Sequence, residues 1–114
     1  MSARAAAGLL VSALIRRVEA AGGHAAVLAR GDATSGALLL ALAERGMTTG
    51  LLERTLTPSG AYGWTPTGPK ADALEEPGAL ADYIARRRRM DPDLWVVELD
   101  SPEAERIAGE VLAG

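Results

Sequence analysis

The stretch Leu94-Trp95-Val96-Val97-Glu98-Leu99, with Asp91-Pro92-Asp93 before it and Asp100-Ser101-Pro102 after it, decides the fold. Five of its six residues are apolar, β-branched and aromatic side chains are prominent, and turn formers stand at both ends, which is the pattern of a short strand near the centre of a sheet. Neighbouring strand residues point to opposite faces, so Trp95, Val97 and Leu99 share one side while Leu94, Val96 and Glu98 share the other. Both sides therefore need cover. Strands buried on both faces are covered by helices, and the sequence on either side supplies three amphipathic ones.

Residues 3–21 are mostly helix formers, with Ser2 placed to cap them and Gly22-Gly23 to end them. Ala7, Val11, Leu14, Ile15, Val18 and Ala21 form the apolar stripe, and Arg16 and Arg17 lie toward the end where cations complement the helix dipole. A second helix is expected from Pro77 at its first position to about Met90, with Leu80, Tyr83, Ile84 and Arg87 at helical spacing. The third follows a Ser101 cap, with Ala104, Ile107, Ala108, Val111 and Leu112 on one face.

Between the first two helices the chain reads as strands. Residues 24–30 hold apolar Ala25 to Ala29 between polar ends, and a turn-rich loop, Arg30-Gly31-Asp32-Ala33-Thr34-Ser35-Gly36, follows. Residues 37–43 are continuously apolar; Ala and Leu would suit a helix, but seven residues between Gly36 and Glu44-Arg45-Gly46 suit a buried strand better. Residues 48–57 read as a half-exposed partner strand, and residues 62–65 as a short edge strand. An irregular segment rich in Pro and Gly then runs to Pro77. The sum is an α+β fold: a mainly antiparallel sheet of four or five strands with three helices packed on its faces. The element order is helix, three or four strands, helix, strand, helix, and the crossover before Leu94 allows one parallel pairing.

With 114 residues the chain has room for one domain, which buries roughly two thirds of its unfolded surface. Its 48% hydrophobic and 24% charged content is that of a folded chain. No cysteine occurs, so disulfides, thiolate chemistry and zinc or iron held by cysteine are excluded. The net charge of -3 disfavours a general polyanion binder. The apolar run of residues 5–15 has the length of a signal-peptide core, but Arg16, Arg17 and Glu19 follow where a cleavage region should be small and uncharged. It is also far short of the roughly 20 residues that span a bilayer. The expectation is a soluble cytoplasmic protein that engages no membrane.

Three blocks carry a resemblance. They are Val11-Ser12-Ala13-Leu14-Ile15-Arg16-Arg17; Ala26-Val27-Leu28-Ala29-Arg30-Gly31-Asp32 with Gly36 after it; and Asp91-Pro92-Asp93-Leu94-Trp95-Val96-Val97-Glu98. Together they resemble a family of small bacterial proteins catalogued as a domain of unknown function (family number 1491). The likeness runs from about Val11 to Asp100 and includes Trp64. After Ser101 the pattern departs, because a helical segment stands where the family has a glycine and a histidine. The resemblance implies a mixed α/β fold and a soluble bacterial protein, and it implies no reaction.

The chemistry-bearing residues have structural readings that compete with functional ones. His24 is the only histidine, so a Ser-His-Asp triad would have to run through it, and no Gly-x-Ser-x-Gly elbow accompanies it. Asp91, Asp93, Glu98 and Asp100 could ligate a divalent cation, but three of them stand in turns where short acids accept backbone hydrogen bonds. Arg86 to Arg89 would fan out around a helix rather than form one flat anion-binding face. No nucleotide fingerprint is present, and no cofactor or metal is implied.

Trp95 reads as core, whereas Tyr62 and Trp64 in a Gly- and Pro-rich setting are candidates for partner contact, weighed against simple packing on the edge. The leading expectation is a non-enzymatic binding or assembly module using residues 62–70, in the form of a homodimer or with an unknown partner. The alternative is a nucleic-acid-associated or regulatory module working through Arg16, Arg17, Arg30 and the arginine run; a hydrolase built on His24 ranks below both.

Overall fold

A computed structural model describes residues 6–113. The elements in chain order are α1 (Ala7–Ala20), β1 (His24–Ala29), β2 (Leu38–Glu44), β3 (Met47–Leu56), β4 (Tyr62–Pro66), α2 (Ala71–Leu74), α3 (Ala79–Met90), β5 (Trp95–Asp100) and α4 (Ala104–Ala113). The strands form one sheet in the order β1-β5-β2-β3-β4. β5 runs antiparallel to β1 and parallel to β2, in the register Trp95 to Leu38 through Asp100 to Ala43, and the other neighbours pair antiparallel. The deciding stretch thus becomes the second strand of five.

Its alternation holds. Trp95, Val97 and Leu99 join Leu38, Leu40, Leu42 and Leu52 under α1 and α4, where Leu10, Val11, Leu14, Val18, Ile107 and Ala108 close the layer. Leu94 and Val96 join Leu39, Ala41 and Leu51 on the opposite face, covered by Leu74 of α2 and by Leu80, Tyr83 and Ile84 of α3. A leucine fully enclosed in such a layer contributes about 2 kcal/mol through removal of its apolar surface from water. Ser101 caps α4 as expected, its Oγ accepting the Glu103 N–H at 3.0 Å.

Two expectations need correcting. Residues 67–77 are not wholly irregular, because residues 71–74 form the single turn α2, which Leu74 anchors into the second core layer. Pro77 is not the first residue of the following helix either. It precedes Gly78, whose φ of 83° is left-handed and serves as the N-cap, so that α3 starts at Ala79. The cap assigned to Ser2 lies outside the described residues.

Candidate functional site

The Arg30–Gly36 block is a structural lock. The Asp32 carboxylate accepts hydrogen bonds from Thr34 N–H (3.0 Å), Ser35 N–H (2.8 Å) and Ser35 Oγ (3.0 Å). The Ser35 backbone bond, then its hydroxyl, then the Thr34 amide hold that carboxyl below its ordinary value. The loop so formed clamps the start of β5: Asp32 N–H donates to the Asp93 carbonyl, and Trp95 Nε1 donates to the Asp32 carbonyl at 2.7 Å. A Cβ at Gly31 would stand 2.1 Å from the Asp93 carbonyl oxygen, and one at Gly36 would stand 2.4 Å from it. Only glycine lets the loop pass this close. The loop also serves α1, whose first N–H groups have no partner within the helix: Ala7 and Gly8 donate to the Thr34 and Ala33 carbonyls.

The basic residues are dispersed. Arg17 pairs with Glu110 of α4 across the outer surface, at a distance of 2.5 Å. Arg16 bonds back to the Ser12 carbonyl. Arg30 lies at the other end of α1, its guanidinium 5.4 Å from the centre of the Trp95 ring. The arginine run sits on α3, on the opposite face of the sheet, and its members have separate tasks. Arg87 bonds Tyr83 Oη at 2.9 Å and Glu53 at 3.0 Å; burial would lower its pKa, but the Glu53 and Tyr83 bonds outweigh burial and raise it. Arg88 reaches the carbonyls of Arg30, Leu94 and Pro92. Arg86 stands over the Tyr83 ring at 6.0 Å. The arginines of α1 and those of α3 are thus separated by the sheet.

The acidic candidates occupy turns. Asp91 Oδ1 accepts the Asp93 N–H, and the Asp100 carboxylate accepts Arg45 N–H and Gly46 N–H at 2.9 and 2.7 Å, fixing the β2–β3 hairpin. Among the described residues no group of three or more His, Asp or Glu side chains is placed to hold a metal ion. His24 lines an open cleft of about 830 Å³ with Glu44, Arg45, Asp100, Ser101 and Glu103. Both Asp100 oxygens there already hold the hairpin, and the Ser101 oxygen holds the α4 cap.

Tyr62 and Trp64 share one face of β4, yet their surroundings differ. Trp64 is half-buried against the α1/α4 core layer, and its Nε1 donates to the Ala108 carbonyl of α4 at 2.8 Å. Tyr62 is half-buried under the Arg54 guanidinium, 5.2 Å from its ring centre. Trp64 is thus packed on the edge as a strut between β4 and α4. The second half of the segment expected to make contacts borders a cleft. Residues 66–71, Lys70 among them, line a cleft of about 650 Å³ at the edge of the sheet together with Thr49, Gly50, Glu105 and the buried Leu42, Leu51 and Leu52. β4 pairs only with residues 52–56 of β3, and Thr67 N–H adds a bond to the Leu51 carbonyl. The outer side of residues 47–50 beside this cleft therefore carries no strand among the described residues.

Sequence reasoning missed the other edge. β1 reads as an apolar run, but it is an outer strand, with Val27 42% and Leu28 43% exposed. Among the described residues no helix is long and apolar enough to cross a membrane.

These features define a class: a small α+β protein with a five-stranded mixed sheet, helices on both faces and surface clefts. The chain belongs to the DUF1491 family, described as a protein of unknown function, whose family model matches residues 5–109. That match passes beyond Asp100, where the resemblance was expected to end, and takes in most of α4. The crystal structure of a DUF1491 family protein from Caulobacter crescentus CB15 is 32% identical, with 90% of this chain and 92% of that chain covered at a TM-score of 0.76. The NMR structure of a DUF1491 family protein from the same organism is 31% identical over 90% and 91% of the two chains, at a TM-score of 0.72. A solution structure of an A. tumefaciens protein is 31% identical over 88% of each chain, at a TM-score of 0.65. No curated protein matches the chain.

Proposed function

We propose that this chain is a cytoplasmic, single-domain, non-enzymatic binding module whose contact surface is the cleft between β3 and residues 66–71. One observation carries the reading: a cleft lined by Leu42, Leu51 and Leu52, with Lys70 and Glu105 among its polar residues, lies beside a stretch of β3 that has no outer neighbour among the described residues. Free backbone donors and acceptors next to an apolar pocket suit an extended peptide segment, which adds to the sheet through its main chain and seats alternate side chains in the pocket. The charges of Lys70 and Glu105 set its direction. The cysteine-free composition fits a reducing compartment. The groups around His24 are already engaged in caps and turns, which favours binding over catalysis.

Gly50 provides the test. A Cβ there would meet nothing within 4 Å, so Gly50→Val fills the cleft without disturbing the fold. The probe is a blocked hexapeptide of alternating valine and threonine with one terminal glutamate to meet Lys70, titrated into isotopically labelled protein. Amide shifts confined to residues 48–51 and 67–71, and affinity weakened tenfold or more by Gly50→Val, are expected. Shifts elsewhere, or binding that Gly50→Val leaves unchanged, would contradict the assignment.

A further inference from the structure

The outer edge of β1 has a geometry that matches itself. Amide directions alternate along a strand, and the Trp95 and Ser101 N–H groups donate to Ala37 and Ala43 on the β2 side of β5. Even-numbered β5 residues therefore bond to β1. Glu98 and Asp100 stand opposite Ala26 and His24, which makes those two the inward-bonding residues of β1 and turns the N–H and C=O groups of Ala25 and Val27 outward. The register shifts only after Val27, so the edge is regular from His24 to Val27.

Exposed edges are ordinarily blunted by charge, proline or cover. Within β1 there is no charged residue and no proline. Ala26, Val27 and Leu28 are all exposed, and the core layer under α3 on the far face takes in β1 only at its last residue, Ala29. An uncharged strand accepts an uncharged strand, and the antiparallel register centred on Ala26 satisfies the outward groups completely. In that register Ala25 faces Val27 of the second copy, Val27 faces its Ala25, and each such pair exchanges both backbone hydrogen bonds. Ala26 then meets its own equivalent on the two-fold axis as a non-hydrogen-bonded pair, with Cα atoms about 4.5 Å apart.

We propose that two copies of this chain associate through β1, joining their sheets into one of ten strands about a two-fold axis at Ala26. The closed two-fold arrangement uses the same surface on both partners and leaves no β1 edge for further addition. The interface is a short strand pair and falls below the roughly 1,200 Å² that stable complexes bury. Its affinity is accordingly modest, and the dimer forms at high protein concentration. This proposal stands independently of the cleft beside β3.

The chain has no cysteine, so a single introduced thiol reports the register. Cα atoms about 4.5 Å apart lie within disulfide reach. Ala26→Cys is expected to form a disulfide-linked dimer under mild oxidation at least tenfold faster than Leu9→Cys, a control on an α1 residue that is 69% exposed. Ala26→Lys, which sets two ammonium groups face to face at an exposed position, is expected to keep the chain monomeric in sedimentation equilibrium where the parent protein dimerises. Equal cross-linking of the two cysteine variants would overturn the proposal, as would a dimer that Ala26→Lys leaves intact or a parent chain that stays monomeric at about 1 mM. So would β1 amides that shift only when the hexapeptide is added, since the edge would then belong to a foreign strand.

Discussion

The two edges of the sheet are finished in different ways. On the β4 side, Trp64 is tied to α4 through the Ala108 carbonyl, Arg54 lies over Tyr62, the Thr55 and Thr65 hydroxyls bond at 2.6 Å, and Pro66 ends the strand with no N–H to offer. On the β1 side, backbone groups and two apolar side chains face outward without charge or cover. Side-chain anchors and a terminal proline fasten the β4 edge to the rest of the fold, whereas the β1 edge presents outward backbone groups between uncharged side chains. Apart from the register shift after Val27, an edge strand built from Ala, Val and Leu carries none of the charges or prolines that reject a partner, so its chemistry favours association.

Mutations should separate the two edges clearly. Trp64→Ala removes a half-buried indole and leaves the Ala108 carbonyl without its donor, and should cost about 3 kcal/mol in chemical denaturation. Val27→Ala on the open edge should cost less than about 1 kcal/mol. Equal losses would remove the contrast. Gly31→Ala drives a Cβ into the Asp93 carbonyl and the Trp95 ring and should cost about 2–3 kcal/mol; the clamp at the start of β5, rather than an outer partner, holds that end of the sheet.

Glu53→Gln should cost about 1 kcal/mol, because Arg87 keeps Tyr83 but loses its charged partner, the pair being only about a quarter exposed. The smallest effect belongs to Asp32. Its folded pKa lies below the ordinary 3.8, so its contribution is present above that value and fades as pH falls through the folded pKa. Asp32→Asn should flatten the acid limb of a stability-versus-pH curve below about pH 4, while the Val27→Ala variant leaves that limb unchanged.

Much of the fold was legible because local rules agreed. Alternation in residues 94–99, the Ser101 cap, the glycine pair after α1 and the turn residues at 31–36 each point to the element observed, and the parallel crossover followed from the helix before β5. The site was less legible, since its determinants are long-range. The Ala108 carbonyl that engages Trp64 lies 44 residues away, and no local pattern announces it. Arg88 reads as one member of a run fanned around a helix, and nothing local picks it out as the one on which the Arg30, Leu94 and Pro92 carbonyls converge. The apolar run of β1 resembles that of β2, and nothing local in it says that it is an edge. Strand order decides which of the two is covered, and strand order is set by the crossover to β5. The turn α2 was hidden for a related reason: Leu74 sits among Pro, Gly and charged residues, and only docking on Leu39 and Leu51 makes it helical.

The central claim is that β1 is an open, outward-bonding edge that a second copy closes. Residue-resolved amide hydrogen exchange at two protein concentrations tests it most directly. In dilute solution the Ala25 and Val27 amides should exchange freely while the Ala26 amide, bonded toward β5, is protected; at high concentration all three should be protected. An unprotected Ala26, or Ala25 and Val27 protection that does not change with concentration, would contradict it.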